Sequence, residues 1–294
     1  MRVCVISYHS SPLENVGSGN SGGMSVYLRE LYAKLSDNIE VDIFTRGMKE
    51  NYRNGNLNIF FSEKDNMNGF TNFVKSFAEC RDYDIIHTHY WLSGLVGMEI
   101  TESDNTPWIH TFHTVESLKG ITADIERIEA ESEILSKCDS VISPTRLEAG
   151  ELKKNNPGVR VLVIPHGVNI RNFRNSNIDL SRNGVLYVGR IAPIKGLDLL
   201  IQSKKYMKRG VQIDIVGGPS KELGYYESIK SNSSNEVKFH GTVYNGNIYS
   251  FYSNAKCVVI PSYYESFGLV CLEAMAAGVP VVSFAGTGPS EIAG

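Results

Sequence analysis

The stretch Val185-Leu186-Tyr187-Val188-Gly189-Arg190-Ile191-Ala192-Pro193-Ile194-Lys195-Gly196 decides the architecture. Its first four residues are apolar or aromatic and favour an extended chain, as in a strand covered on both faces. Gly189 ends that run, and Pro193 and Gly196 turn the chain into the helical stretch that follows. The same unit recurs downstream, with strands read at Gln212–Gly217, Val237–Thr242, Cys257–Pro261 and Pro280–Phe284. Upstream, strands are read at Val3–Ser7, Val41–Thr45, Asn58–Phe61, Ile85–Tyr90, Trp108–His113, Ser140–Ser143 and Val161–Ile164. Helical patterns fill the gaps. Met24–Leu35 carries Met24, Leu28, Leu31, Tyr32 and Leu35 at helical spacing, and Asp124–Lys137 is acidic and amphipathic. Alternation of this kind implies parallel sheets with helices on both faces.

Asn169–Gly184 is polar, rich in Asn and Arg, and without period, so it reads as a linker. Two domains follow, residues 1–168 and 169–294, which suits a chain of 294 residues. The second holds five strands and ends in a Gly/Pro/Ser-rich turn, where a sixth strand and closing helices are expected. The reading is therefore of a C-terminally truncated second domain, with an exposed sheet edge and weak activity or poor solubility.

A net charge of −3 gives no broad attraction to nucleic acid or anionic membrane, so an anionic ligand must be held by a few placed groups. No apolar run reaches the roughly 18–20 residues of a membrane span. Met1–Ile6 is a short β-like run and lacks the long apolar region of a secretory leader. The five cysteines, Cys4, Cys80, Cys138, Cys257 and Cys271, are odd in number and widely spaced, which suits buried free thiols in a reducing cytoplasm.

Gly17, Gly19 and Gly22 spell the dinucleotide fingerprint, but nine residues separate them from the end of the preceding strand. Arg46 could answer an NADP phosphate there. A flexible loop is the second reading; the third has Gly22 and Gly23 bring backbone N–H groups at a helix N-terminus to an anion. Arg190 and Lys195 could clamp a diphosphate, or stand as solvated charges. Glu265 falls just before a helix, with Gly268 and Leu269 in its first turn and Glu273 about two turns in on the same side; the carboxylates could accept from hydroxyls, or be an acidic cap and an exposed helix residue, and free N–H groups near Phe267, Gly268 and Leu269 could meet phosphate. His87 with His89, or His110 with His113, could ligate zinc or be hydrogen-bonded in the interior. Asp82-Tyr83-Asp84 precedes a strand and reads as a turn.

Taken together these segments resemble the retaining GT-B glycosyltransferases of family 4. The matching elements are Gly22–Leu31 (GGMSVYLREL), Phe112-His113-Thr114, Ile164–Asn169 (IPHGVN), Gly189-Arg190 with Lys195-Gly196, and Glu265 with Glu273 as the E-x7-E signature. The resemblance runs over nearly the whole chain. His87–Gly94 (HTHYWLSG) and Thr111–Leu118 look most like the sucrose-phosphate synthases and inositol-phosphate N-acetylglucosaminyltransferases.

That resemblance implies an α/β fold of two Rossmann-like, doubly wound parallel-sheet domains facing a cleft, the second incomplete. It implies transfer of a sugar from a nucleoside-diphosphate sugar, such as a UDP-sugar, to a small hydroxyl acceptor with retention of configuration. Arg190 and Lys195 should bind the diphosphate, helped by N–H groups of Gly22, Gly23, Phe267, Gly268 and Leu269. Glu273 should hold the ribose and Glu265 the sugar hydroxyls. His113 should sit beside the reacting sugar. Tyr90, Thr114 and Arg127 should touch an acceptor phosphate, and Lys119 is a further candidate outside the family pattern. Neither metal nor cofactor is implied, because the cations can neutralise the leaving group, and domain closure would exclude water. Competing readings are an NADP-dependent Rossmann oxidoreductase, a non-hydrolysing UDP-sugar epimerase and a nucleotide-binding remnant without turnover.

Overall fold

The computed structural model describes residues 1–14, 22–47, 49–102, 105–174, 184–220, 222–243 and 248–293. They form two compact units, Met1–Leu13 with Tyr27–Pro165, and Glu14–Val26 with His166–Gly294. Strands of the first unit are β1 (Arg2–Ser7), β2 (Glu40–Arg46), β3 (Tyr52–Asn54), β4 (Leu57–Ser62), β5 (Ile85–His89), β6 (Trp108–Thr111), β7 (Ser140–Ser143) and β8 (Val161–Val163). The second unit carries β9 (Val185–Val188), β10 (Ile213–Val216), β11 (Val237–Gly241), β12 (Cys257–Ile260) and β13 (Val281–Ser283). Between strands run α1 (Gly23–Leu35), α2 (Met67–Ala78), α3 (Trp91–Thr101), α4 (Ile125–Lys137), α5 (Arg146–Asn155), α6 (Arg171–Arg174), α7 (Leu197–Ser203), α8 (Leu223–Ser231), α9 (Ile248–Asn254), α10 (Leu269–Ala276) and α11 (Gly288–Ile292).

The strand orders are β3-β4-β2-β1-β5-β6-β7-β8 and β11-β10-β9-β12-β13. Every pairing is parallel except β3 with β4. In each sheet the order reverses beside the first strand laid down, between β1 and β5 and between β9 and β12. Ligands of open α/β sheets gather at the carboxyl ends of strands beside such reversals. Here those ends deliver Tyr90, His113 and Thr114 in one unit and Arg190 and Glu265 in the other.

Alternation along the strands builds the cores. In the second unit Leu186, Val216, Val258 and Ile260 pack on one side of the sheet, with Cys271 and Ala274 of α10. Val185, Tyr187, Ile213 and Ile215 pack on the other, with Leu197 and Leu200 of α7. In the first unit Phe44, Phe60, Phe73 and Phe77 stack between the sheet and α2. Each fully buried large side chain stabilises by about 1.5–3 kcal/mol, so Leu186→Ala should cost about 2–5 kcal/mol once its cavity is counted.

The structure departs from the sequence reading in several places. Part of the segment read as a linker, Arg171–Arg174, is the helix α6, and Phe173 packs into the second core. β5 and β6 stop at His89 and Thr111, because Tyr90 (φ 72°) and His113 (φ 62°) take left-handed conformations that no strand accommodates. The short exposed β3 was not expected; nothing in its three polar-flanked residues shows a buried face. Cys80 is exposed and Cys138 and Cys257 half-buried, so only Cys4 and Cys271 are buried thiols. Among the described residues no helix is long and apolar enough to cross a membrane.

Candidate active site

At the carboxyl ends of β5 and β6, alternate residues of β5 turn one face toward α1. His87 and His89 both meet the Tyr32 hydroxyl, His87 through Nδ1 at 2.7 Å and His89 through Nε2 at 2.6 Å. His87 Nε2 lies 2.9 Å from the Thr111 hydroxyl, and His89 Nδ1 lies 3.0 Å from His113 Nε2. Tyr32, His87, His89 and Thr111 are buried, whereas His113 is half-buried. Burial pushes the His87 imidazolium down to about 3 and the Tyr32 phenol well above its usual value, so both groups are neutral. The Tyr27 ring stands edge-on to His113, 5.1 Å between centroids. The left-handed backbone at His113 is strain of the kind that collects at working sites.

Beside this row lies Arg127, on the first turn of α4, whose N-terminus Asp124 caps. Arg127 Nη1 donates to the Tyr90 hydroxyl at 2.9 Å, and Nη2 to both the carbonyl and hydroxyl of Thr114 at 2.8 Å. Its Nε donates to Glu131 at 2.7 Å, and Nη1 pairs with Glu116 at 2.8 Å. Four hydrogen bonds and one ion pair thus occupy the guanidinium. The guanidinium also lies 4.6 Å over the Tyr90 ring. The structure therefore brings Tyr90, Thr114 and Arg127 together, with Lys119 on Glu116 at 2.7 Å. Direct contact of Arg127 with a phosphate, as the resemblance implied, meets a guanidinium already occupied. Because the Tyr90 and Thr114 hydroxyls accept from Arg127, each keeps its own hydrogen to donate to an anion. Desolvation raises the Glu131 carboxyl above the ordinary carboxylate value, partly offset by Arg127.

In the second unit, Lys195 and Glu265 form an ion pair at 2.5 Å, so two residues assigned to different parts of a donor touch each other. Ser262 lies 3.4 Å from the same carboxylate oxygen. Gly196, at φ 62°, lets the loop pass so close to β12 that a Cβ there would stand 2.1 Å from the Pro261 carbonyl oxygen. Tyr263 N–H closes the loop onto the Ile194 carbonyl at 3.0 Å. A Cβ on Gly22 would stand 3.9 Å from Arg190 Nε, and one on Gly23 3.3 Å from the Leu269 side chain. Among the described residues the Arg190 guanidinium has no hydrogen-bond or ion-pair partner. Gly268, at φ 93°, opens α10 without a side-chain cap; Cys271 N–H donates to the Gly268 carbonyl at 2.8 Å, while the N–H groups of Leu269 and Val270 have no acceptor among the described residues. Gly268 thus stands just outside α10 rather than in its first turn. Glu273 is the fifth residue of α10, little more than one turn in, where two were expected. It accepts from the Tyr252 hydroxyl at 2.5 Å, and burial pushes its carboxyl up to about 7.

The decoys resolve on geometry. All four ring nitrogens of His87 and His89 already have partners, and His110 Nδ1 bonds the Thr88 hydroxyl at 2.6 Å. Among the described residues no three His, Cys, Asp or Glu side chains gather as a metal-holding group. Arg46 donates to the Tyr8 hydroxyl and the Asp65 carbonyl, both at 2.9 Å, and so does not stand ready for an NADP phosphate. Gly17 and Gly19 lie outside the described residues. Sequence reasoning missed Tyr32, Glu116, Glu131 and Tyr252. Tyr32 sits in the apolar stripe of α1 and reads as core, and the two glutamates belong to no spacing pattern.

With the geometry in place, the chain can be set beside known proteins. Residues 21–172 match the family model Glycosyltransferase Family 4, and residues 168–294 match Glycosyl transferases group 1. A D-inositol 3-phosphate glycosyltransferase of Catenulispora acidiphila is 32% identical over 335 aligned positions, which cover 96% of this chain and 78% of that protein. The chain belongs to glycosyltransferase family 4. A second relative, the D-inositol 3-phosphate glycosyltransferase of Corynebacterium diphtheriae, is also 32% identical, over 96% of this chain and 78% of its own. Among solved structures the glycosyltransferase is similar to a sucrose-phosphate synthase of Thermosynechococcus elongatus, with a TM-score of 0.88 and 28% identity, covering 97% of this chain and 81% of that one. It also shares its fold with Anabaena HepE, solved in complex with UDP and glucose, at a TM-score of 0.80 and 20% identity over 99% and 83% of the two chains. The fold is GT-B, with one parallel-sheet domain per unit.

Proposed function

We propose that the enzyme transfers a sugar from a UDP-sugar to a hydroxyl of a phosphorylated polyol or sugar, with retention of anomeric configuration. The observation that carries this reading is the grouping of the Lys195–Glu265 pair with unsatisfied N–H groups at the start of α10. That grouping offers cation and N–H donors to a diphosphate and a carboxylate to sugar hydroxyls. In this reading Arg190 and Lys195 hold the diphosphate, aided by Gly22, Gly23, Phe267, Gly268 and Leu269. Glu273 takes the ribose and Glu265 the sugar. Residues 169–294 form the donor domain and residues 1–168 the acceptor domain. Tyr90 and Thr114, polarised by Arg127, donate to the acceptor phosphate. Relatives named for inositol 3-phosphate and for sucrose phosphate support a phosphorylated acceptor or product, and HepE, solved with UDP and glucose, supports the donor.

The chemistry needs no protein nucleophile. The acceptor oxygen bonds to the anomeric carbon on the face from which the nucleotide departs, while the bond from that carbon to the diphosphate oxygen breaks. The acceptor's proton passes to the departing diphosphate. Charge grows on the leaving group in the transition state, where fixed cations and N–H groups stabilise it without reorganising. His113 stands beside the reacting sugar and holds it by a hydrogen bond.

Calorimetric titration with UDP, GDP, ADP and NADP tests the donor class. UDP should bind selectively. Arg190→Ala with Lys195→Ala should lower affinity about a hundredfold, since two charge-assisted contacts together contribute about 3 kcal/mol. Preference for NADP, unchanged in that variant, would overturn the reading. Anomeric couplings in the proton spectrum of the product check retention.

A further inference from the structure

The two carboxylates of the E-x7-E pair are held in different ways. Glu265 is paired with a cation, Lys195, and has the Ser262 hydroxyl beside it. Among the described residues Glu273 has no ion-pair partner. Its side chain takes one hydrogen bond there, donated by the Tyr252 hydroxyl to Oε2 at 2.5 Å. A neutral phenol thus does for Glu273 part of what an ammonium does for Glu265, and it leaves the negative charge uncancelled.

The phenol is a fixed point. Tyr252 is fully buried on α9, and the Phe173 ring of α6 stands edge-on to it, 5.7 Å between centroids. The ring packs in one core with Leu186, Val258, Cys271 and Ala274. A glutamate without a partner explores several rotamers and loses that freedom when a ligand fixes it. An anchor on a packed ring removes most of that loss before the ligand arrives. A carboxylate has lone pairs for about four donors. With one of them given to Tyr252, room remains for two adjacent hydroxyls. Protonation points the same way. Burial pushes the Glu273 carboxyl up to about 7, and the hydrogen bond from Tyr252 opposes that rise. Without the phenol, burial acts unopposed and favours the protonated acid, a poorer acceptor.

We propose that Tyr252 is a positioning residue of the donor site, which holds the Glu273 carboxylate ready for the two adjacent hydroxyls of a ribose. This role rests on the placement of Glu273 against the ribose in the proposed function; the Tyr252–Glu273 contact itself lies wholly within the second unit. Were Tyr252 core packing alone, losing its hydroxyl would weaken every nucleotide alike.

The test is calorimetric titration of the full chain with UDP and with dideoxy-UDP, which lacks both ribose hydroxyls but keeps the diphosphate. The wild-type chain should prefer UDP by about tenfold or more, as hydrogen bonds to a charged group require. Tyr252→Phe removes only the hydroxyl and keeps the packed ring. It should weaken UDP about tenfold and leave dideoxy-UDP within about twofold, which also shows the site intact. In a Glu273→Ala background the same change should cost UDP nothing further, because Tyr252 acts through Glu273. Equal losses for both nucleotides, or a full further loss in that background, would overturn the proposal and leave the ribose placement standing. A wild-type chain that binds UDP and dideoxy-UDP equally would instead sink the ribose placement, and the role of Tyr252 with it.

Discussion

At the residue scale, charge placement decides most outcomes. Among the described residues Arg127 is the one cation paired with both Glu116 and Glu131, each of them buried, and it shares Glu116 with Lys119. Arg127→Ala would leave these carboxylates without that cation, and loss of one partner of a buried ion pair costs about 3–5 kcal/mol. Arg127→Ala should therefore lower the melting temperature and weaken acceptor binding together. Adding Glu131→Gln should recover part of the stability but none of the acceptor affinity, which calorimetry against a phosphorylated polyol would read. Glu273 behaves in the opposite sense. Its folded value, about 7, lies above the 4.5 of an open carboxyl, so folding favours the protonated form. That contribution is full below the open value and is lost as pH rises through 7. Ribose hydroxyls are donors and call for the carboxylate. UDP affinity should accordingly rise as pH passes upward through 7, and Glu273→Gln should flatten the profile while weakening binding. A profile identical in the variant would remove Glu273 from the donor site.

At the element scale, close approach of backbone to side chain sets α3 and the loop before α7. A Cβ on Gly97 would stand 2.7 Å from Thr88 Cγ2 and 2.9 Å from Trp108, so α3 lies against the sheet at a distance that only glycine permits. Gly97→Ala should cost about 1–3 kcal/mol by overpacking, measured by denaturant titration. Gly196→Ala combines a left-handed backbone with the Pro261 carbonyl, and should move Lys195 away from Glu265 as well as destabilise. How far such features could be read beforehand depends on whether they are periodic. Strands such as Val185–Val188 announce themselves because every residue faces a core, and the E-x7-E and Lys195-Gly196 patterns carry their chemistry in spacing. β3 has no buried face to betray it. The left-handed turns at Tyr90 and His113 are set by tertiary packing, since non-glycine residues seldom adopt them and no local pattern marks them. Tyr32 was legible as an apolar stripe residue of α1 but not as a bridge between histidines, because its partners lie 55 and 57 residues along the chain.

At the scale of the whole molecule, each unit has a core of its own, and both tryptophans, Trp91 and Trp108, pack into the first. Tryptophan emission therefore reports that unit. UDP at a hundred times its dissociation constant should stabilise the folded chain by about 2.7 kcal/mol. This should appear as a raised transition by circular dichroism, abolished in the Arg190→Ala/Lys195→Ala variant at the same concentration. Tyr90 and His113, the two non-glycine residues with left-handed backbone among those described, point to a last consequence. Elsewhere in a protein alanine outlasts glycine; at His113 the order should invert, with His113→Gly more stable than His113→Ala by about 1 kcal/mol. Selection for endurance alone would write glycine at both positions. Side chains kept there against the backbone's preference mark a protein that trades durability for competence.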